Sequence, residues 1–201
     1  VIEGLRITEE ALKAGSVPAF IFYTPQTLER ERARALLRRA AAEGAQLKQV
    51  APTIMSQMAE TVTPSGILAV VRMAECALPR PLTWVLVIDH LRTPGNVGTI
   101  LRSAVAAGVQ LVLTTKGTVD VYNAKVVRGG MGAHFRLCLL PNRDWAEISN
   151  LVQGMQVVLA EPHEGVPYWE ADWRQPTALI IGSEAHGASE EAQTLAGTRV
   201  V

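Results

Sequence analysis

Short continuous apolar runs recur along the chain and alternate with stretches whose apolar residues fall at helical spacing. The runs at residues 19–23, 47–50 and 67–72 read as strands in the first third of the chain. Between them, residues 8–14 read as a helix with Thr8 as N-cap and Gly15 as its stop. Residues 27–43 read as a long helix closed by Gly44, with Leu28, Leu36, Leu37, Ala40 and Ala41 largely on one face and arginines on the rest. Residues 52–59 read as a third helix. From residue 84 the alternation strengthens. Strands are expected at 84–88, 111–114, 135–140, 156–160 and 178–182, and helices at 99–107, 124–128 and 145–151. Apolar strands alternating with helices predict an α/β fold with a parallel sheet covered on both faces. Pro79 and Pro81, at alternate positions, disfavour helix and mark an extended linker. The expected organisation is an N-terminal domain at 1–76, a linker at 77–82 and a C-terminal domain at 83–201.

Composition sharpens this picture in three ways. At 201 residues with 48% hydrophobic and 19% charged residues, the chain can bury a core without metal or disulfide support. No apolar run approaches the roughly 20 residues that span a bilayer, so no membrane partner is expected. No signal-peptide pattern is visible in the opening Val1-Ile2-Glu3-Gly4, and Cys76 and Cys138 form no CxxC. Two reduced thiols in a cytoplasmic protein are expected. The formal net charge is zero, but it conceals a strong asymmetry. Residues 90–136 carry Arg92, Arg102, Lys116, Lys125, Arg128 and Arg136 against Asp120, a net of +5. Residues 144–191 carry nine acids against Arg174, a net of −8. A basic stretch of this kind suits a polyanionic partner, which the zero sum hides.

Three clusters could carry chemistry. The 84–88 run passes through Pro94-Gly95, which sets a turn, to Asn96 near a helix start and Arg102 a turn and a half later. Asn96 as a helix cap and Arg102 as a surface salt bridge is an equally simple reading of that spacing. Neither GxGxxG nor Gly-Lys-Ser/Thr occurs, which excludes a dinucleotide fingerprint and a P-loop. The second cluster is Gly182-Ser183-Glu184-Ala185-His186-Gly187, again a Gly-rich turn after an apolar run; its glycines would let backbone amides approach a flat ligand. The third holds Lys125 and Arg128, one helical turn apart and able to grip phosphate, or simply a solvated basic face. The histidines at 90, 134, 163 and 186 have no metal-ligand spacing, so no metal is expected, and no GxSxG elbow is present.

Taken in order, these clusters resemble the SpoU/TrmH family of RNA ribose methyltransferases, within the knotted SPOUT superfamily. Thr93-Pro94-Gly95-Asn96-Val97-Gly98-Thr99-Ile100-Leu101-Arg102 resembles the family's first motif, and Ile181-Gly182-Ser183-Glu184-Ala185-His186-Gly187 its second. Tyr122 to Arg128, followed by Gly132-Ala133-His134-Phe135, resembles the segment between them. Ile2-Glu3-Gly4, Ala11-Leu12 and Thr63-Pro64-Ser65-Gly66-Ile67-Leu68-Ala69-Val70-Val71 resemble its substrate-binding domain, a small α/β sandwich similar to RNA-binding ribosomal proteins. Two departures stand out. Thr93 replaces the family's Asp. Val200-Val201 stop where an Ile-Pro-Met strand and a Ser-Leu-Asn helix would follow, so the last strand and helix of the C-terminal trefoil knot are expected to be missing.

The resemblance implies methyl transfer from S-adenosyl-L-methionine to a ribose 2′-hydroxyl of RNA, first of all large-subunit ribosomal RNA, by a cytoplasmic homodimer. It implies Arg102, Asn96 and Glu184 as catalytic residues. Leu159, Ala160, Glu161, Gly182, Ser183, Glu184 and Gly187 would line the cofactor pocket, and Lys125, Arg128, Arg34 and Arg38 would bind RNA. Guanidinium is not deprotonated in proteins, so an electrostatic role suits Arg102 better than that of a base. A transfer-RNA or antibiotic-resistance methyltransferase of the same family, and a non-catalytic RNA-binding protein on this scaffold, are the alternatives.

Overall fold

The structure, a computed structural model, describes residues 1–73, 76–78 and 80–201. Pro79, in the expected linker, lies outside the described residues. The chain divides into two compact units, Val1–Ala74 with Met131–Arg136, and Glu75–Gly130 with Leu137–Val201.

The first unit is built on a four-stranded sheet of β1 (Ile2–Glu3), β2 (Phe20–Tyr23), β3 (Gln46–Gln49) and β4 (Ile67–Val70), in the order β1-β4-β2-β3. β4 is antiparallel to β1 and β2, and β3 is parallel to β2. Its helices are α1 (Leu5–Lys13), α2 (Glu31–Ala42) and α3 (Pro52–Met58). Ile7, Ala11 and Leu12 of α1 and Ala33, Leu36, Leu37 and Ala40 of α2 are buried, with Ile21 of β2. Three local expectations are corrected. Thr8 is not an N-cap: it lies inside α1, fully buried, and its hydroxyl donates to the Gly4 carbonyl at 2.8 Å. The 27–43 helix is broken, because Pro25–Glu29 form a short 3-10 helix and Arg30 is extended before α2 begins. The buried Thr27 hydroxyl donates to the Gly66 carbonyl at 2.9 Å, and that tertiary bond outweighs helical propensity. Ala133–Phe135 form a 3-10 turn where a strand was expected to begin at 135, and Arg136 donates to Glu10 at 2.9 Å within this unit.

The second unit holds a six-stranded, wholly parallel sheet. Its strands are β5 (Trp84–Ile88), β6 (Leu111–Thr115), β7 (Cys138–Arg143), β8 (Gln156–Ala160), β9 (Thr177–Ile181) and β10 (Thr198–Val200), ordered β10-β8-β9-β5-β6-β7. Its helices are α4 (Pro94–Ala106), α5 (Ala124–Gly130), α6 (Trp145–Leu151) and α7 (Glu190–Leu195). Val85, Val87, Leu111, Leu113 and Ile180 pack with Ile148 and Val152 on one face, and Ala188 and Ala192 join them. Alternation sends the buried Leu86, Ile88 and Val112 to the other face. This is the α/β parallel architecture the alternating pattern predicts.

One strand goes beyond those expected from sequence: in β10, Thr198, Arg199 and Val200 pair with Val158, Leu159 and Ala160. Its outer edge is not left bare, because Val166 N–H donates to Arg199 O and Tyr168 N–H to Val201 O, both at 3.0 Å. Nor are the cysteines two separate thiols. Cys76 and Cys138 are joined as a disulfide, their Cα atoms 5.0 Å apart, within the ordinary range for such a bridge.

Candidate active site at the sheet switch point

From β5 the chain moves outward through β6 and β7, then returns to the other side of β5 through β8 and β9. The loops after β5 and β9 therefore open side by side, which is where an open α/β sheet offers a crevice. Both sequence motifs lie there.

The first motif folds as the start of α4. Thr93 is the extended N-cap without a side-chain cap bond, and Pro94 takes the first helical turn, where its missing N–H costs nothing. The helix thus begins five residues earlier than expected, and Asn96 is a helical residue rather than a cap. Its side-chain amide donates instead to a carboxylate oxygen of Glu184 across the switch point. Arg102 lies further along α4, exposed, with no hydrogen bond or ion pair among the described residues. Asn96 and Glu184 are brought together; Arg102 shares their helix and is left with its charge free.

The second motif folds as a closed loop. Ser183 N–H donates to Gly187 O and Gly187 N–H to Ser183 O, both at 2.9 Å, leaving Glu184, Ala185 and His186 at the tip. Gly187 has φ +69°, and a Cβ on Gly182 would sit 2.6 Å from the Ala188 nitrogen, so both positions require glycine. The loop's glycines thus serve its own closure. The amides of Ser183 and Gly187 are spent on one another and do not donate to a flat ligand. Ala160 and Glu161 stand at the neighbouring end of β8, with Glu161 N–H donating to Val200 O at 2.9 Å. The Leu159 side chain is fully buried in the sheet core, so of the expected lining residues it offers backbone only.

The expected RNA-binding residues fall into two groups. Lys125 and Arg128 on α5 have no ion pair among the described residues. Arg34 and Arg38 of α2 are both held by Glu31, Arg38 at 2.9 Å. The Arg34 guanidinium, and then that of Arg38, keep the Glu31 carboxyl below its usual range. In the second unit α5 is pressed against the start of α4: a Cβ on Gly98 would lie 2.8 Å from the Val126 carbonyl oxygen. One residue escapes sequence reasoning. Asp89, immediately after β5, is fully buried and accepts the Ser189 N–H at 2.7 Å, tying the end of the second-motif loop to the end of β5. Its only signal in the sequence is a charge directly following an apolar run. No group of His, Cys, Asp and Glu among the described residues is placed to hold a metal ion.

Comparison with known proteins identifies the family of the chain. The SpoU rRNA Methylase family matches residues 83–201, and the RNA 2′-O ribose methyltransferase substrate binding family matches residues 1–77. Human mitochondrial rRNA methyltransferase 3 is 31% identical over 98% of this chain and 59% of its own length. The Bacillus subtilis 23S rRNA (guanosine(2553)-2′-O)-methyltransferase RlmP is 32% identical over 93% of this chain and 72% of its own. The chain spans about three fifths of the length of the human and mouse relatives. Among solved structures, the SpoU methyltransferase AviRb from Streptomyces viridochromogenes in complex with AdoMet superposes with a TM-score of 0.85 at 27% identity, covering 99% of this chain and 78% of that one. On its two family matches and on relatives above 30% identity, the chain belongs to the SpoU rRNA methylase family.

Proposed function

We propose that this protein methylates a ribose 2′-hydroxyl of large-subunit ribosomal RNA, with S-adenosyl-L-methionine as donor. The observation that carries the reading is the Asn96–Glu184 contact at the switch point, on the helix that also presents an unpaired Arg102. The names of the human and Bacillus relatives and the AdoMet complex of AviRb support the reaction and the cofactor.

The residues present fit such a donor. The ends of β8 and β9 and the loop after β9 carry Glu161 and Glu184 and no lysine or arginine, which suits a cationic ligand with hydroxyl groups. Ala160, Glu161, Gly182 and Glu184 would hold it, and when bound it supplies an electrophilic methyl group on sulfur. In the displacement a C–O bond forms as the C–S bond breaks, in line, and the hydroxyl proton leaves. Arg102 keeps its charge throughout. Beside the 2′-oxygen or the adjoining phosphate it favours the developing negative charge and eases loss of that proton to solvent. Glu184 fixes the Asn96 amide, and so the first turn of α4, against the loop after β9. Lys125 and Arg128 supply free cations for the RNA backbone on the helix packed against α4. Unpaired nucleotides present a 2′-hydroxyl more readily than a paired helix does.

We infer also that the protein acts as a homodimer, on the family resemblance; a solution mass equal to one 21.7 kDa chain would refute this. The function itself is tested with labelled S-adenosyl-L-methionine and ribosomal RNA lacking its natural methylations. Label must enter RNA, resist base removal as a ribose methyl does, and map to one nucleotide of the large subunit. RNA binding without methyl transfer would instead support a non-catalytic role.

A further inference from the structure

The carboxyl ends of β5 and β6 carry a second arrangement, distinct from the Asn96–Glu184 pair. Buried Asp89 accepts the Thr115 hydroxyl on Oδ1 at 2.8 Å, and the same oxygen lies 2.9 Å from His90 Nδ1. His90 N–H donates in turn to Thr115 Oγ1 at 3.1 Å. His90 has φ +52°, a left-handed conformation that non-glycine residues hold only when their surroundings enforce it. Its ring lies where Gly117 lacks a side chain: a Cβ there would come 2.8 Å from His90 Cδ2. Backbone, buried carboxylate and a glycine gap together fix one ring orientation. Yet the side chain remains 42% exposed, and Nε2 has no hydrogen-bond partner among the described residues.

An imidazole with Nδ1 against a buried carboxylate and Nε2 open to solvent is placed to meet a group outside. Its surroundings indicate what. Val119 N–H donates to Leu91 O at 2.9 Å and joins the loop after β5 to the loop after β6. Those two loops carry Arg92 and Lys116, both exposed and without an ion pair among the described residues. Asp120, the acid nearest to Lys116 in sequence, accepts the backbone N–H of Tyr122.

We propose that His90, Lys116 and Arg92 form a binding point for a phosphodiester of the RNA strand, separate from Lys125 and Arg128. An oriented ring N–H with two flexible cations suits the several oxygens and single charge of one phosphate group. Asp89 is the positioning residue: with a phosphate bound, both ring nitrogens carry a proton, Nδ1–H facing the Asp89 carboxylate and Nε2–H donating outward. The proposal rests on RNA being the substrate of the Asn96–Glu184 site and adds to it where the strand is gripped.

The test is equilibrium binding of a labelled single-stranded RNA, followed by anisotropy across a salt series, with S-adenosyl-L-methionine affinity measured by calorimetry. Lys116→Gln and Arg92→Gln should each weaken RNA binding and flatten the log–log salt slope by about 0.7–1. His90→Gln should weaken RNA binding about threefold or more, the scale of one lost hydrogen bond, with cofactor affinity unchanged. Arg174→Gln, just before β9 at the opposite end of the strands, should leave the slope as it is. A wild-type slope in the Lys116→Gln/Arg92→Gln double variant overturns the phosphate site, as does a His90→Gln loss confined to cofactor affinity. Wild-type protein that binds RNA through these residues but transfers no methyl overturns the methyltransferase reading and leaves this one standing.

Discussion

Gly98 on α4 and Gly129 on α5 approach so closely that a Cβ at position 98 would lie 2.9 Å from the Gly129 Cα. No flexible side chain is available to yield, because the contact is backbone on both sides. Gly98→Ala must therefore push α5 away, and Lys125 and Arg128 with it. We expect destabilisation of about 1–3 kcal/mol, the usual cost of overpacking, and weaker RNA binding with cofactor affinity intact. Gly95→Ala is the control: a Cβ there meets nothing within 4 Å, so denaturation midpoint and RNA affinity should stay at wild-type values.

Arg102→Ala should lower single-turnover methyl transfer at least ~100-fold, the scale of one lost electrostatic donor at a reacting oxygen. The exposed Arg102 side chain makes no hydrogen bond or ion pair among the described residues, so the melting temperature should not move. Wild-type activity in this variant would remove the chemical role assigned to α4.

Asn96 and Glu184 should behave as one unit. Glu184→Ala strips the Asn96 amide of its acceptor, whereas Glu184→Gln keeps a carbonyl oxygen in reach. We expect the alanine variant to lose more activity than the glutamine variant. Adding Asn96→Ala to Glu184→Ala should cost little more than either alone, with a coupling energy of about 0.5–3 kcal/mol in a double-mutant cycle on kcat/KM. Fully additive losses would mean the contact is incidental.

On α2 the arginines are occupied. Because Arg34 and Arg38 depress the Glu31 carboxyl in the folded protein, the pairing is at full strength above the ordinary carboxylate range. It is lost as pH falls through the lowered value. At neutral pH, Glu31→Gln should release both guanidinium groups and steepen the salt dependence of RNA binding by about one unit if this helix faces RNA. An unchanged slope would assign the cationic contribution to the second unit alone.

The Cys76–Cys138 bridge closes a loop with a sequence separation of 62. Chain-entropy arguments give such a cross-link about 4 kcal/mol over the open chain. Denaturation with and without reductant should differ by a sizeable part of that amount. Identical midpoints would mean that the thiols are free in solution.

Continuous apolar runs made much of the second unit legible. β5, α6 and β8 have the limits expected from sequence, and α6 carries its own start signal, with Asp144 accepting the Glu147 N–H at 2.8 Å. Misreadings cluster where a distant group decides. Thr27 looks like the interior of a helix until Gly66, 39 positions on, takes its hydroxyl. β10 is only three residues long and is recognisable through its pairing with β8 rather than through any pattern of its own. At the site, Asn96, Arg102 and Glu184 were visible as motif residues, Asn96 and Glu184 in the stretches that follow β5 and β9 and Arg102 further along α4. The engagement of Arg34 and Arg38 was not, because spacing alone cannot say whether a helical arginine turns to Glu31 or to solvent. Asp89 was missed because one carboxylate after an apolar run reads as the first polar residue of a loop.

The placement of β5 between β6 and β9 also sets an order of events at the ribosome. β6 follows β5 closely in the chain, but β9 is made much later, and Glu184 emerges 88 residues after Asn96. Until then one long edge of β5 has no native neighbour, and its apolar side chains await their cover. A nascent chain stalled before residue 177 would already display the basic loops and the free Arg102, yet have nothing opposite Asn96. Affinity for nucleic acid can thus arise during synthesis well before the chemistry can, and exposed β5 is the segment most in need of chaperoning in that interval.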